Sequence, residues 1–326
     1  MGNNLQQINQ VAVIGTGVIG NGWIARFLAQ GYDVIAFDPS EGAEQRTQKA
    51  VAQAWPSLEK IGLAEGADRN RLAFMPTIEK AVCDADLIQE NVPEREDLKK
   101  AVLASIDAHA KKSAIIGSST SGIMPSVLQE GLAHPERLIV AHPFNPVYIL
   151  PLVELVAGRK TDQLVMDRAK SFYESIGMKP LIIQKEIEGH LADRLMEALW
   201  REALHLVNDG VATTEEVDAA IIYGAGLRWA QMGPFLTFHL AGGEKGMRHM
   251  LEQFGPALKL PWTKLEAPEL TDELKEKVIS GCESHAGDVT IGELENKRNE
   301  FLVELLSLVE SYWPETTATK KLVVEK

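Results

Sequence analysis

The sequence predicts a doubly wound, mostly parallel α/β sheet followed by an all-helical C-terminal domain. Three observations carry this reading. The chain opens on a strand, glycine turn, helix, strand unit; apolar strand-like runs then alternate with helix-compatible stretches as far as Lys185; and beyond Lys185 only helical periodicity remains.

Residues Val11 to Asp38 read VAVIGTGVIGNGWIARFLAQGYDVIAFD, an apolar run, a glycine-rich turn, an amphipathic helix ending near Gly31 and a second apolar run closed by an acid. Further strand-like runs lie at Asp86 to Gln89, Ala114 to Ser118, Leu138 to Ala141, Leu152 to Val156 and Leu181 to Gln184. Helical crossovers between such runs are compatible with a parallel sheet. After Lys185, Leu191, Leu195, Leu199 and Leu206 recur at helical spacing. Thr213 and Glu216 form a capping box, Gly224 and Gly226 are expected to stop the helix it starts, and Gly233-Pro234 opens the next. A long last helix is expected over Ile291 to Tyr312, ended by Pro314, with a mobile tail after it. The expected domains are 1–186 and 187–326.

The 326 residues are 45% hydrophobic, enough to bury a sizeable core without metals or crosslinks. The two cysteines, Cys83 and Cys282, lack the paired spacing of a zinc site or a redox dithiol, and the histidines at positions 109, 134, 190, 205, 239, 249 and 285 show no metal-ligand spacing and read mostly as surface or packing residues. No metal is expected. A net charge of −13 disfavours nucleic acid and anionic membranes and suits a small or cationic substrate better than a polyphosphorylated one. With no leader-like N-terminus and no apolar run of bilayer length, a cytoplasmic location is expected.

Gly15, Gly17 and Gly20, with Thr16, Val18 and Ile19 between them, sit between strand and helix as a Rossmann-type phosphate loop. Gly15 permits the tight turn, Gly17 lets the backbone approach a pyrophosphate, and Gly20 lets helix and strand pack closely. Asp38 would accept the adenosine ribose hydroxyls, and the following Pro39-Ser40 brings no arginine for a 2′-phosphate, so NAD is expected rather than NADP.

His142 follows the apolar run LIVA and stands at the carboxyl end of a strand, where ligands bind in open α/β sheets. Glu154 lies amid Leu152, Val153, Leu155 and Val156 and needs a partner there. An imidazole can take an alcohol proton as hydride leaves the carbinol carbon, and a buried carboxylate on its other nitrogen would orient it and stabilise the imidazolium.

These residues resemble the 3-hydroxyacyl-CoA dehydrogenase superfamily over nearly the whole chain, through GTGVIG at Gly15, ENVPER at Glu90, SSTSGIMPS at Ser118, HPFNPV at His142 and GLRWAQMGPF at Gly226. The resemblance implies that His142 and Glu154 are the catalytic pair, that Ser121 hydrogen-bonds the substrate oxygen, that Glu94 and Lys99 contact the nicotinamide side of NAD, and that the chain is a homodimer. One departure stands out: the family's Gly-Phe-x-x-Asn-Arg reads here Gly189-His190-Leu191-Ala192-Asp193-Arg194, and Asp193 joins the candidate catalytic and substrate-binding residues. Within the superfamily this segment is similar to the branch acting on a small 3-hydroxy acid with a quaternary ammonium group. Such a cation needs carboxylates and aromatic faces. Asp193, Glu197 and Trp200 share one helical face, and Phe144, Tyr148, Trp229 and Phe235 are further candidates. Sugar-acid dehydrogenases of the L-gulonate type, acyl-CoA oxidation and a non-catalytic, crystallin-like NAD-binding protein remain as alternatives.

Overall fold

The computed structural model describes residues 8–230, 233–264, 269, 271–274, 276, 279 and 288–312. Cys282, His285, Pro314 and the tail after it lie outside the described residues. The chain forms two compact units, Met1–Arg194 and Leu195–Lys326.

The first unit holds one eight-stranded sheet: β1 (Gln10–Ile14), β2 (Asp33–Phe37), β3 (Leu72–Phe74), β4 (Leu87–Glu90), β5 (Ile115–Ser118), β6 (Leu138–Pro143), β7 (Leu152–Ala157) and β8 (Lys179–Ile183). Their order is β3-β2-β1-β4-β5-β6-β7-β8. The first six strands are mutually parallel, whereas β7 runs antiparallel to β6 and β8 parallel to β7. Strand order reverses between β1 and β4, and the crevice at that switch point is where ligands bind in such sheets. The three-residue β3 has no counterpart among the runs read from sequence; it is too short to show a period.

Helices α1 (Val18–Ala29), α2 (Ala43–Ile61), α3 (Ile78–Val82), α4 (Glu96–His109), α5 (Pro125–Leu128) and α6 (Gln163–Ser175) connect the strands. The alternation within β1 sorts side chains onto two cores: Val11 and Val13 join Trp23, Phe27, Phe172 and Tyr173 on one face, while Ala12 and Ile14 join Ile88, Leu103, Ile106 and Leu128 on the other. Each of the larger of these fully buried apolar side chains contributes about 1.5–3 kcal/mol relative to exposure. Arg26 of α1, also buried, donates to the carbonyls of Val147, Leu150 and Ile176, and so ties α1 to the segment that follows β6 and to the end of α6.

Helix α7 (Ala192–Asn208) begins in the first unit, and the second unit continues with α8 (Thr214–Ala220), α9 (Gly226–Trp229), α10 (Pro234–Ala241), α11 (Gly246–Phe254) and α12 (Ile291–Tyr312). Thr213 and Glu216 make the expected reciprocal capping box, and Gly233 with Pro234 opens α10. Gly224 and Gly226 do not stop the helix after Thr213. The chain passes from α8 through a wide π turn, Ile221–Ala225, straight into α9, with Gly226 itself helical at φ −60° and ψ −40°. The glycine serves close approach instead, since a Cβ on Gly226 would lie 2.7 Å from the Ile221 carbonyl oxygen.

Candidate active site

The three loop glycines meet three different demands. Gly15 turns the chain at φ +88°, where a Cβ would also meet the Asn91 backbone at 2.8 Å. A Cβ on Gly20 would lie 2.0 Å from the Gly15 carbonyl oxygen, so only glycine lets α1 begin this close to β1. Around Gly17 a Cβ would meet nothing within 4 Å, which leaves its backbone open to a ligand.

A cavity of about 740 Å³ lies over this loop, lined by Gly15, Gly17, Val18, Ile19, Asp38, Asn91, Glu94, Lys99, Ser119 and Ser121 among others. Thr16 does not line it; its amide and hydroxyl donate to one carboxylate oxygen of Asp38, and the amide and hydroxyl of Ser40 donate to the other. Partial burial works against the Asp38 charge, but the bonds from Ser40 and Thr16 outweigh it and hold the acid below the usual carboxylate range. An ionised acceptor at the end of β2, an open glycine backbone at a helix N-terminus and a cavity joining them fit NAD, and the nearby Arg46 is held by Ser40 and the Glu41 carbonyl.

Behind the cavity lies a buried ion pair. Lys99 donates to Glu90 at 2.9 Å and to the Val92 carbonyl at 3.0 Å, with Glu94 at 3.5 Å. Glu94 in turn accepts from the Thr120 hydroxyl and from the amides of Ser121 and Gly122, and so fixes the loop after β5. Ser121 faces the cavity from that loop and caps no helix, because Met124 is the N-cap of α5. A second chain of bonds reaches the same place from the core: the Tyr173 hydroxyl donates to Gln89, Gln89 and Trp23 donate to Ser119, and the Ser119 hydroxyl donates to Asn91. Burial pushes the Tyr173 phenol up, so it remains a neutral donor.

The antiparallel pairing of β6 and β7 sets His142 opposite Glu154. Facing residues of adjacent strands project on one side of the sheet, and Glu154, with no exposure, accepts from His142 Nδ1 at 2.9 Å. Its other oxygen accepts the amides of Leu191 and Ala192 at 3.0 and 2.9 Å, where α7 begins. Burial opposes the Glu154 charge, but the bonds from His142, Ala192 and Leu191 prevail and keep its pKa below the ordinary value. A carboxylate only accepts, so the proton of neutral His142 is assigned to Nδ1 and the lone pair to Nε2. Asp193 Oδ2 stands 3.6 Å from that Nε2, and the Phe144 ring meets the imidazole edge-on at 5.6 Å between centroids.

Of the other candidates, Tyr148 belongs to the first unit and Glu197, Trp200, Trp229 and Phe235 to the second. Tyr148 packs, partly buried, against the core. Glu197 pairs with Arg201 at 3.0 Å, Trp200 lines an apolar cavity of about 420 Å³ between α7 and α8, and Trp229 and Phe235 are exposed. Sequence reasoning missed Glu90, Thr120, Ser119 and His190. An acid closing the apolar run LIQE was a usable signal for Glu90; for His190 none existed beyond its departure from the family's phenylalanine. His190 is fully buried and its ring packs 5.5 Å from that of His142, so of the surface and packing readings only the second holds for it.

The family model described as "3-hydroxyacyl-CoA dehydrogenase, NAD binding domain" matches residues 10–187, and "3-hydroxyacyl-CoA dehydrogenase, C-terminal domain" matches residues 189–281. The chain is 70% identical over 307 residues to an L-carnitine dehydrogenase of Oceanobacillus iheyensis, covering 94% of this chain and 100% of the relative. It is 58% identical to an L-carnitine dehydrogenase of Pseudomonas putida, over 94% of this chain and 96% of the relative. Among solved structures it is similar to 5-formyl-3-hydroxy-2-methylpyridine 4-carboxylic acid 5-dehydrogenase, an NAD-dependent dismutase, with a TM-score of 0.78 at 28% identity over 93% of this chain and 99% of that one. It is also similar to (S)-3-hydroxybutyryl-CoA dehydrogenase of Ralstonia eutropha, with a TM-score of 0.63 at 26% identity over 84% of this chain and 95% of that one.

Proposed function

The chain belongs to the 3-hydroxyacyl-CoA dehydrogenase family and is an NAD-dependent dehydrogenase, and from that premise we propose that its substrate is L-carnitine, oxidised at C3 to 3-dehydrocarnitine. The observation that carries the substrate reading is Asp193. Where the family places a neutral asparagine, this chain sets a carboxylate 3.6 Å from the reactive nitrogen of His142, which favours a cation over a thioester. The names of the relatives support the same substrate. The region from Glu41 to Asn70 carries few lysines, Lys49 and Lys60, and with Arg46 and Arg69 these cations are outnumbered by Glu41, Glu44, Glu59, Glu65 and Asp68, a poor surface for a polyphosphorylated acyl carrier.

In this mechanism His142 Nε2 takes the hydroxyl proton while Glu154 holds Nδ1 and stabilises the imidazolium. The Ser121 hydroxyl donates to the substrate oxygen. Asp193 offsets the charge of the trimethylammonium, with Phe144 as an aromatic neighbour; Glu197, Trp200, Trp229, Phe235 and Tyr148 are the further candidates for that role. NAD, when bound, supplies the hydride acceptor. Exposed Leu195, Met196, Leu199 and Trp200 on α7 support assembly as a homodimer through the helical unit. Among the described residues no helix is long and apolar enough to cross a membrane. The cytoplasmic location we propose rests on the two cysteines, whose wide separation in sequence suits a reducing compartment.

The test is NADH formation with L-carnitine, D-carnitine, L-gulonate and L-3-hydroxybutyryl-CoA in parallel. Turnover of L-carnitine alone is expected. Preference for L-gulonate or the CoA ester would overturn the substrate while leaving the dehydrogenase, and NADH binding without any turnover would favour a non-catalytic protein.

A further inference from the structure

Of the polar groups in the first unit, His190 combines two unfavourable features at one place. Its backbone lies at φ +47°, the left-handed region that a side-chain-bearing residue rarely enters, and it follows Gly189 at φ +72°. Its Nδ1 is buried with no hydrogen-bond partner among the described residues. A turn built of Gly or Asn would avoid the first cost, and an apolar ring would avoid the second.

What the residue does locally is join three parts of the site. His190 Nε2 lies 3.0 Å from the Thr120 carbonyl oxygen, which only accepts, so Nε2 carries the proton and donates. Thr120 adjoins Ser121 on the loop that Glu94 fixes from the other side. The ring lies against that of His142, at 51° and 5.5 Å between centroids. The left-handed turn at Gly189-His190 then delivers the amides of Leu191 and Ala192 onto Glu154 Oε1, immediately before Asp193.

We propose that His190 is a positioning residue of this active site, clamping the Ser121 loop to the His142–Glu154 pair and to the entry of α7 so that serine, base and Asp193 keep one arrangement. Burial, opposed in part by the Thr120 carbonyl, lowers the His190 pKa; His142 works in the same direction and Glu154 and Asp193 against it. The clamp is therefore neutral and adds no second cation beside the base.

The proposal rests on His142 being the base, and the two are separated by assaying H142A beside the His190 variants. H190F keeps a ring and removes the donor; H190Q restores an N–H at about the reach of Nε2. H190F is expected to lower kcat at least tenfold with KM for NAD nearly unchanged and its pH profile altered, because small misplacements of reacting groups cost rate rather than cofactor affinity. H190Q is expected to recover much of that kcat. Wild-type kcat and pH profile in H190F, with only a lower melting temperature, would overturn the positioning role; so would an H190Q no better than H190F when both are folded by circular dichroism and bind NADH. Turnover retained in H142A would instead overturn the assignment of the base.

Discussion

Glu154 divides its carboxylate between an imidazole and a helix start: Oε2 accepts from His142 Nδ1 at 2.9 Å, and Oε1 accepts the amides of Leu191 and Ala192, where α7 begins, at 3.0 and 2.9 Å. The same buried group that orients the imidazole therefore also sets the start of the helix bearing Asp193. A negative charge at a helix N-terminus is favoured by the exposed amides there, so the two demands reinforce each other.

Removing the His142 side chain is expected to lower kcat by roughly 10²–10⁴-fold, the range for a general acid–base group. NADH binding to H142A, followed by fluorescence titration, should stay near that of the unaltered enzyme, and a variant with near-normal turnover would refute the role.

Glu154→Gln keeps the shape but neutralises the partner of the imidazolium, and a loss of about 10²–10⁴ in kcat is expected by analogy with other His–carboxylate pairs. The effect on stability has a definite sign. Because the folded-state pKa of Glu154 lies below its ordinary value, its ionised form stabilises the fold above the unfolded pKa of about 4.3, and that stabilisation is lost as pH falls through the lower folded value. Urea unfolding across pH 3 to 7 should thus be flatter in E154Q than in the parent; parallel curves would sink this reading.

Asp38→Arg removes the acceptor held by Thr16 and Ser40 and offers a cation to a 2′-phosphate. The ratio of kcat/KM for NADP over NAD should rise at least tenfold, about 1.4 kcal/mol. An unchanged ratio would remove Asp38 from the ribose site.

Asp193→Asn returns the family's residue and discharges the group beside His142 Nε2. KM for L-carnitine should rise about tenfold or more while KM for NAD is little altered. If KM for L-carnitine does not move, the cation is held elsewhere, and Glu197 and the aromatic candidates of the helical unit become the next variants.

Arg137 and Asp107 form a pair in which both side chains are almost fully buried, with Arg137 Nη2 2.8 Å from Asp107 Oδ1. Arg137→Met leaves a buried carboxylate without its cation, and a loss of about 3–5 kcal/mol in unfolding free energy is expected. A urea midpoint within error of the parent would show that water reaches Asp107.

Much of the fold was legible because local rules decide it. The Gly15 loop, the strands ending at Asp38 and His142, the capping box at Thr213 and the span of the last helix, Ile291–Tyr312, follow from periodicity and from glycine, proline and capping chemistry acting over a few residues. Local rules failed where packing intervened: Gly226 reads as a helix stop but sits inside a helical run, since its missing Cβ is used against the Ile221 carbonyl.

The sequence by itself determined the NAD-type loop, with each glycine at the position its steric role demands, and it singled out His142 and Glu154 as an imidazole at a strand end and a carboxylate needing a partner. Only the tertiary structure decided that the two meet, because β7 runs antiparallel to β6 and puts them opposite each other. It alone brought Asp193 to His142 Nε2, Glu94 to the Ser121 loop and His190 against His142. Those contacts depend on how separate segments cross in space, and a pattern read along one chain direction contains no term for that.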